Sequence, residues 1–142
     1  MHNWFECKIN YEKAGEEGKR ITEPYLVDAL SFTEAEGRII EEMRPYISGD
    51  FTITDIRRAN FYETFLNDTG EKYYKAKIFL ITLDEKSGTE KKKAVLILAQ
   101  ASTIHEAIKV LDEGFKGTLA DYVIATVAET ALMNVFPYEV KK

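Results

Sequence analysis

Apolar and polar residues alternate strictly at the beginning of the chain. Every second position is apolar, at Phe5, Cys7, Ile9 and Tyr11. A period of two predicts a half-buried strand. The range 21–29 alternates in the same way after a polar, glycine-containing turn, which predicts the second strand of a hairpin. Pro24 lies within that range, and because proline has no N–H to donate to a sheet, we expect this strand at an edge.

A helix is predicted next. Ser31-Phe32-Thr33-Glu34 is a capping box, in which Ser31 accepts a backbone hydrogen bond at the helix start and Glu34 reaches back. Apolar residues then recur at helical spacing, at Phe32, Ala35, Ile39 and Met43. The range 51–66 is rich in apolar residues but alternates imperfectly, which predicts an extended segment with a bulge or a bend.

The same order of patterns occurs a second time. Residues 4–9 resemble residues 73–78, and the capping box returns as Thr103-Ile104-His105-Glu106. The corresponding residues keep their order along the chain, with offsets of 69 to 73 positions. Such self-similarity predicts an internal duplication.

The second copy repeats the predicted elements of the first. Strands are predicted over 72–83 and 93–101, and a helix follows the second capping box until Gly114 and Gly117. The range 122–136 would by itself also suit a helix, because alanine, leucine and methionine recur in it. Its position relative to the first copy favours a strand.

Each copy is therefore predicted to run strand–strand–helix–strand. We expect an α+β fold with six strands and two helices in an antiparallel-rich mixed sheet. The chain would form a single domain, 1–142, made of two repeats at about 4–66 and 73–137. The ranges 78–81 and 94–99 are apolar on both faces, which is typical of strands covered on both sides. Since two helices cannot cover both faces of six strands, we expect part of one face to meet another subunit, or the sheet to close on itself.

Composition narrows the class of protein. The chain has 142 residues, of which 45% are hydrophobic and 30% charged, as in a soluble globular domain. No apolar run approaches the ~18 residues of a membrane-spanning helix, and the start has no basic-then-apolar leader. We therefore expect a cytoplasmic protein with no membrane partner. The net charge of -5 argues against a general binder of polyanions, because phosphate contacts need a positive field.

Residues that carry chemistry are few. The single cysteine, Cys7, excludes an internal disulfide and a cysteine-based zinc site, and its position between Phe5 and Ile9 predicts a buried structural thiol. His2 and His105 lie far apart without metal-binding spacing, and the chain has no phosphate-binding glycine loop or serine nucleophile motif. We expect no metal site, no cofactor and no catalytic residue, although two carboxylates can meet in space without a sequence signature.

One set of residues favours a nucleic-acid-binding function. If the apolar side of the strands faces the core, aromatic and basic side chains face outward, at Trp4, Lys8, Tyr73, Lys75 and Lys77. Aromatic rings with interleaved cations on a sheet bind single-stranded nucleic acid by stacking and by charge. The opposing interpretation is that these are ordinary strand residues, with Trp4 and Tyr73 packing at an interface. The negative net charge favours the opposing interpretation.

The chain also resembles a known family. The similarity lies in Leu30-Ser31-Phe32-Thr33-Glu34-Ala35-Glu36 with the residues before it from Tyr25, in the opening Trp4-Phe5-Glu6, and in the range 81–86. These segments resemble an uncharacterised family of short bacterial proteins, a domain of unknown function found mainly in gut Bacteroides-type genomes. The resemblance implies a bacterial cytosolic protein associated with prophage or other mobile elements, and it assigns no catalytic residue.

These observations favour a non-enzymatic binding or assembly protein that forms homo-oligomers. The alternative is a single-stranded nucleic-acid-binding protein that uses the five aromatic and basic residues named above. A third hypothesis, a small-molecule enzyme or ligand-binding module, requires a pocket between the repeats that is lined by convergent polar groups.

Overall fold

The computed structural model describes residues 2–118 and 121–138. Two helices and eight strands lie within these ranges. In chain order they are β1 Trp4–Glu12, β2 Arg20–Asp28, α1 Phe32–Met43, β3 Phe51–Ala59, β4 Glu63–Phe65, β5 Lys72–Leu83, β6 Glu90–Ala101, α2 Ile104–Phe115, β7 Asp121–Glu129 and β8 Asn134–Phe136. The α+β fold and the two helices are confirmed. The predicted number of strands, six, is wrong.

The strands form two four-stranded sheets. The first sheet has the order β3-β1-β2-β8, and the second has the order β7-β5-β6-β4. In each sheet the three long strands are antiparallel to one another. The short outermost strand of each sheet, β8 or β4, is parallel to its neighbour. Antiparallel-rich mixed pairing is therefore confirmed, but it is distributed over two sheets.

Two predicted strands are each divided between the sheets. The range 51–66 contains β3, in the first sheet, and β4, in the second. The range 122–136 contains β7, in the second sheet, and β8, in the first. The preference for strand over helix in 122–136 is confirmed, but the continuity of both predicted strands is wrong. A side-chain period identifies an extended segment without identifying the strand beside it, so the imperfect alternation of 51–66 predicted a bulge or a bend but not a change of sheet.

The chain divides into two compact units. The first comprises the described residues up to Asn60 together with those from Ala131 onward, and the second comprises Phe61–Thr130. These limits differ from the predicted repeat limits of about 4–66 and 73–137. The difference arises because β4 and β8 each pair in the sheet of the other predicted repeat.

Both helices begin with the predicted capping box. In α1 the Ser31 hydroxyl accepts the N–H of Glu34 at 3.1 Å, and the Glu34 carboxylate accepts the N–H of Leu30 at 3.2 Å. In α2 the Thr103 hydroxyl accepts the N–H of Glu106 at 3.2 Å, and the Glu106 carboxylate accepts the N–H of Ser102 at 3.0 Å. These bonds satisfy N–H groups that the first helical turn leaves without intrahelical partners.

Each helix packs an apolar stripe against one face of the sheet in its unit. The buried residues of the two stripes are Ala35, Ile39, Met43, Ala107, Leu111 and Phe115. Inward-facing residues of β1 and β5 meet them, namely Phe5, Cys7, Ile9, Ala76 and Ile78. The predicted stripe of α1 is confirmed except at Phe32, which is 48% exposed. Burial of these side chains is the main stabilising contribution within each unit.

The predicted end of α2 requires a correction. Gly114 lies inside the last turn, and the helix continues through Phe115. Gly117 follows the helix with a φ of 85°. This left-handed conformation favours glycine at a helix end. Gly117 therefore ends the helix, whereas Gly114 packs against the ring of Phe65.

The predicted irregularities of the strands have clear positions. The register between β1 and β3 shifts at Lys8/Ile9, and the register between β5 and β7 shifts at Lys77/Ile78. The bulge expected in the range 51–66 is thereby confirmed. β8 pairs only with Tyr25–Val27, so the first half of β2, which contains Pro24, has no strand beside it on that side in the described part of the chain. Pro24 thus lies in the edge portion of a strand whose second half is internal.

Candidate binding face

The two register shifts allow the units to be compared residue by residue. Lys8 is the last residue before the shift in β1, and Lys77 is the last residue before the shift in β5. Lys8 and Lys77 are therefore equivalent, and so are Asn10 and Phe79, which lie two residues further along. In each unit the residues on one side of the central strand enter the core beneath the helix. The residues between them lie on the opposite side of the sheet, which we call the outer face. The outer faces of the two units have different chemistry.

Along β1 and β3 the outer face of the first unit is polar, with positive and negative charges side by side, whereas Leu26 on β2, opposite Glu6, is buried. Glu6 lies opposite Arg57 across the β1–β3 pair, and Lys8 lies opposite Asp55. The Arg57 Nε lies 2.6 Å from an Asp55 carboxylate oxygen. Asn10 lies further along the same strand and accepts a hydrogen bond from the Arg20 guanidinium at 2.6 Å. Each of these cations therefore has a polar or acidic neighbour on its own face.

One end of the outer face of the second unit carries cations that have no acidic residue beside them. Lys75 and Lys77 occupy the positions of Glu6 and Lys8, and both are exposed. Across the β5–β7 pair they lie opposite Ala128 and Thr126, where the first unit has Arg57 and Asp55. Within residues 2–118 and 121–138, neither lysine forms an ion pair. Two positive charges at this end of the face are left for a partner or solvent.

The middle of this outer face is apolar. Phe79 is flanked by Ala94 on β6 and Val123 on β7. Three polar residues occupy the equivalent positions of the first unit, namely Asn10, Thr22 and Thr52. Val123 is 49% exposed and Leu96, beside Lys77, is 36% exposed. The Lys77 ammonium lies 5.4 Å from the centre of the Phe79 ring, within cation–π range.

Acidic residues occupy the far end of the same face. Ile81 lies between Lys92 on β6 and Asp121 on β7, and Leu83 lies opposite Glu90. The Leu83 side chain is 66% exposed. We call this surface the apolar–cationic face. Its members are Lys75, Lys77, Phe79, Ile81, Leu83, Glu90, Lys92, Ala94, Leu96, Asp121, Val123, Thr126 and Ala128. Leu98, opposite Lys75, lies on the same side of β6 but is fully buried, so the face is covered at that position.

The five residues of the predicted nucleic-acid site have unequal surroundings. Trp4 and Tyr73 are buried, with 4% and 6% of their surface exposed, so the expectation that these rings face solvent is wrong. The Trp4 ring stacks on His2 with a centroid distance of 5.1 Å. Lys8 is half-buried, whereas Lys75 and Lys77 are exposed. Strand alternation assigns a side chain to one side of a sheet, but it does not determine whether that side is covered there.

Sequence reasoning missed Phe79, Leu96 and Val123 as members of a site. A signal was present, because the ranges 78–81 and 94–99 are apolar on both faces. That pattern predicted coverage on both sides. The outer side of these strands remains partly open around Phe79, and the prediction that another subunit covers it stays a prediction.

Cys7 has the environment of an inert thiol. It is fully buried in the core of the first unit, which confirms the predicted structural role. Burial raises the pKa of the thiol to about 12, and the negative charges of Glu6 and Asp55 add to the shift. Because the thiolate is the nucleophilic form, Cys7 is a poor nucleophile near neutral pH.

A polar cluster lies at one end of the first sheet. Asp28 is a buried carboxylate that contacts the His2 imidazole and accepts the N–H of Asn3 at 3.0 Å. Arg38 donates to the carbonyl of Asp28 and to two carbonyls at the end of β8. The bonds of this cluster satisfy backbone groups and anchor chain segments. His105, at the start of α2, is exposed.

A cleft of 420 Å³ lies beside the hairpin between β1 and β2 and is also lined by residues 46–50. Two of its carboxylates have structural partners. Glu12 accepts the N–H of Gly18 at 3.1 Å, and Glu16 pairs with Lys19 at 3.4 Å. In the described part of the chain, no group of three or more histidine, cysteine or acidic side chains is arranged to hold a metal ion.

The fold defines an α+β protein of two four-stranded sheets, each packed against one helix, with an apolar–cationic face on the second. Residues 3–138 match the family described as a domain of unknown function (DUF4494), and the chain therefore belongs to that family. No match was found among curated proteins or among solved structures. None of the helices in 2–118 and 121–138 is long and apolar enough to cross a membrane.

Proposed function

We propose that this protein is a non-enzymatic binding or assembly protein whose binding surface is the apolar–cationic face. One observation carries the proposal. Equivalent positions hold Asn10, Thr22 and Thr52 in the first unit but Phe79, Ala94 and Val123 in the second. At these positions the outer face of the first unit therefore has the composition of an ordinary solvated surface. The other has the composition of a surface that is covered in the working state.

Physical chemistry supports this assignment. Apolar surface in contact with water is unfavourable by roughly 25 cal/mol per Å², so a partner that covers Phe79, Leu96 and Val123 gains free energy. Lys75 and Lys77, without acidic neighbours on their face, add attraction for a partner with negative charge. The best partner is therefore a surface with an apolar centre and acidic groups on one side.

A tandem duplication explains how the two faces came to differ. We infer it from the equal strand orders, the equivalent register shifts and the equivalent capping boxes of the two units. After duplication, one copy could keep a solvated outer face while the other acquired a binding surface. We further propose, from the family resemblance, that the protein acts in a bacterial cytosol and is associated with a mobile element.

Site-specific photocrosslinking in cells that make the protein tests the proposed surface. A photoreactive phenylalanine analogue at position 79 is expected to form macromolecular adducts. The same analogue at Asn10, the equivalent position on the first unit, serves as the matched control and is expected to form few. Equal adduct yields at the two positions, or no adduct at position 79, would contradict the proposal.

Single-stranded nucleic acid is the second candidate partner. One observation favours it, since Lys77 lies over the Phe79 ring and Lys75 is on the same face. Phe79 would then be the stacking ring, in place of Trp4 and Tyr73. The net charge of -5 opposes this candidate, because phosphate binding needs a positive field.

A further inference from the structure

We infer that the open edge of β7 receives an extended segment of another protein, which adds to the second sheet as a further strand and directs acidic residues toward Lys75 and Lys77. This inference rests on the proposed function and specifies the form and the charge of the partner. β7 is the outermost strand of its sheet, and within residues 2–118 and 121–138 it pairs only with β5. About half of its backbone N–H and C=O groups therefore point away from β5, toward a position where a strand can be added.

The outermost strand of the first sheet is protected in a way that β7 is not. β3 occupies the equivalent position, and the register shifts align Asp55 with Thr126 and Arg57 with Ala128. Charged side chains on an edge strand oppose the addition of a further strand. The range 122–128 of β7 has no charged residue, proline or glycine, and it is rich in the β-branched residues that favour strands. The edge of β7 is therefore better suited to strand addition than the edge of β3.

The cationic end of the outer face is accessible from the β7 side. Leu98, beside Lys75 on β6, is fully buried, so this end is closed on the β6 side. On the other side Lys75 lies opposite Ala128 and Lys77 lies opposite Thr126, and both β7 residues are exposed. Because alanine and threonine are short, the lysine side chains can extend over them toward a strand placed about 4.8 Å beyond β7.

The charges near β7 define the chemistry of the partner. Lys75 and Lys77 are two residues apart and lie on one side of the sheet, so they match acidic residues at alternate positions of the added strand. At the other end of the edge, Asp121 begins β7, and Asp112 accepts a hydrogen bond from the Tyr122 hydroxyl at 2.7 Å. The partner segment therefore has acidic residues toward one end, uncharged strand-forming residues in the middle and a basic residue at the other end.

A second copy of the chain fits this edge less well. Twofold antiparallel pairing of two β7 strands centred at Ala125 would set Asp121 beside Glu129 of the other copy. Glu129 is already paired with Lys72 at 3.2 Å, and carboxylates directly opposite each other are unfavourable. The two lysines of the face would meet no acidic residue in such a pair. Charge complementarity therefore favours a segment of a different protein.

A bulge in β7 limits the strength of binding. Ile78 pairs with Ile124 and Lys77 pairs with Thr126, so Ala125 is the extra residue of β7. A bulge interrupts regular pairing at the edge of a sheet. An added strand can form regular hydrogen bonds on either side of Ala125 but not across it. We therefore expect a weak interface, with a Kd in the micromolar range.

Selection of peptides on the purified full chain tests this inference. The probe is a phage-displayed library of random peptides, each about as long as β7. Enriched sequences are expected to carry two acidic residues at alternate positions, next to uncharged β-branched or aromatic residues. In a synthetic copy, N-methylation of every second residue should abolish binding, whereas N-methylation of the residues between them should not. Only alternate N–H groups of an added strand face β7.

Two further measurements locate the bound peptide. Hydrogen–deuterium exchange of the β7 amides should become slower when the peptide binds, whereas exchange of the amides of β3, the matched edge strand, should not change. Lys75→Glu with Lys77→Glu should weaken peptide binding by roughly tenfold or more. The control is Lys109→Glu with Lys116→Glu, which changes the net charge by the same amount and should retain binding. Circular dichroism spectra must show that each variant is folded.

Each alternative outcome has a definite meaning. The inference is overturned if no peptide is enriched, if the effect of N-methylation does not alternate, or if exchange in β3 slows as much as in β7. It is also overturned if the protein dimerises without peptide and the β7 amides are slowed in the dimer, because a second copy is then the occupant. If position 79 forms adducts but the edge binds no peptide, the inference fails and the proposed function stands. If position 79 forms no adducts, both fail.

Discussion

A methyl group added at Gly114 would lie 2.6 Å from the Cε1 and Cε2 atoms of Phe65. Gly114 is in the last turn of α2, and Phe65 is the last residue of the short strand β4. The Phe65 ring also meets Phe115 edge-on, with a centroid distance of 5.7 Å. The ring therefore packs on bare helix backbone, and this contact helps to hold β4 in the second sheet.

Alanine substitution of two helical glycines should have opposite effects. Gly114→Ala is expected to destabilise the protein by about 1–3 kcal/mol, because the added methyl group displaces the Phe65 ring. Gly37→Ala, in α1, is the control, since a methyl group there meets no atom within 4 Å. It should stabilise by about 0.5–1 kcal/mol through helix propensity. Urea unfolding of both variants measures the free energies, and an unchanged Gly114→Ala protein would show that the ring has room to move.

Arg38 is expected to hold β8 in the first sheet. Its guanidinium donates to the carbonyl of Asp28, lies 3.5 and 3.4 Å from the carbonyls of Phe136 and Pro137, and is 4.6 Å from the centre of the Tyr138 ring. Removing these donors leaves partly buried carbonyls without their partner. Arg38→Val, which introduces a residue without donors, should therefore destabilise the protein by about 1–3 kcal/mol.

Hydrogen–deuterium exchange separates this local effect from a general one. Relative to the wild type, Arg38→Val should accelerate exchange of the β8 amides more than exchange of the β1 amides. The control is Arg57→Ala, which breaks an exposed ion pair with Asp55 and should change stability by less than about 1 kcal/mol. Equal effects of the two substitutions would argue against a specific role for Arg38.

Stability should fall at alkaline pH partly because of Cys7. The pKa of the thiol is raised from 9.0 to about 12 in the folded protein, so the unfolded chain releases its proton first. The stabilisation is complete below pH 9 and is lost as the pH rises toward 12. Cys7→Ala, which introduces the residue found at the equivalent Ala76, should lose less stability than the wild type between pH 8 and about 10.

Urea unfolding at the two pH values tests the role of Cys7. Tyr11 and Tyr25, whose pKa values are also raised to about 12, remain in both proteins and contribute equally. The pKa of Tyr11 is raised mainly by its hydrogen bond to Glu23, and the pKa of Tyr25 is raised mainly by burial. A thiol reagent should modify Cys7 only after unfolding. Rapid modification of the folded protein at pH 8 would contradict the assignment.

The nucleic-acid alternative makes a separate prediction. If it is right, a labelled single-stranded oligonucleotide should bind at low ionic strength and dissociate as salt is added. Two phosphate contacts, by Lys75 and Lys77, correspond to a slope of about -1.4 in log K against log salt concentration. Lys75→Glu with Lys77→Glu should abolish binding. The control is the double variant Lys109→Glu and Lys116→Glu, with one change on α2 and one just after it. It changes the net charge by the same amount and should retain most of the oligonucleotide binding.

Much of the local structure could be predicted because its causes are local. The caps at Ser31 and Thr103 depend on residues within one helical turn, and both are found as predicted. The strand predicted over 72–83 has those same limits, Lys72–Leu83, although its residues 78–81 are apolar on both faces. The buried thiol of Cys7 followed from its apolar neighbours.

The candidate site was harder to predict. Lys75 and Lys77 were recognised because charged residues on a strand with an apolar side must face outward. The nucleic-acid hypothesis needed Trp4 and Tyr73 at the surface, and both are buried, because burial depends on what covers each end of a sheet. The apolar part of the face became visible only when Phe79 could be compared with its equivalent in the first unit.

The sequence by itself determined the helices, the long strands and the side of each strand that faces a helix, because these depend on the chemistry of neighbouring positions. Only the tertiary structure decided that β4 and β8 join different sheets from the strands that precede them. It alone brought Lys77, Phe79 and Val123 into one face. Strand partners are chosen by packing between residues far apart in the chain, and a local pattern of apolar and polar positions carries no record of that choice.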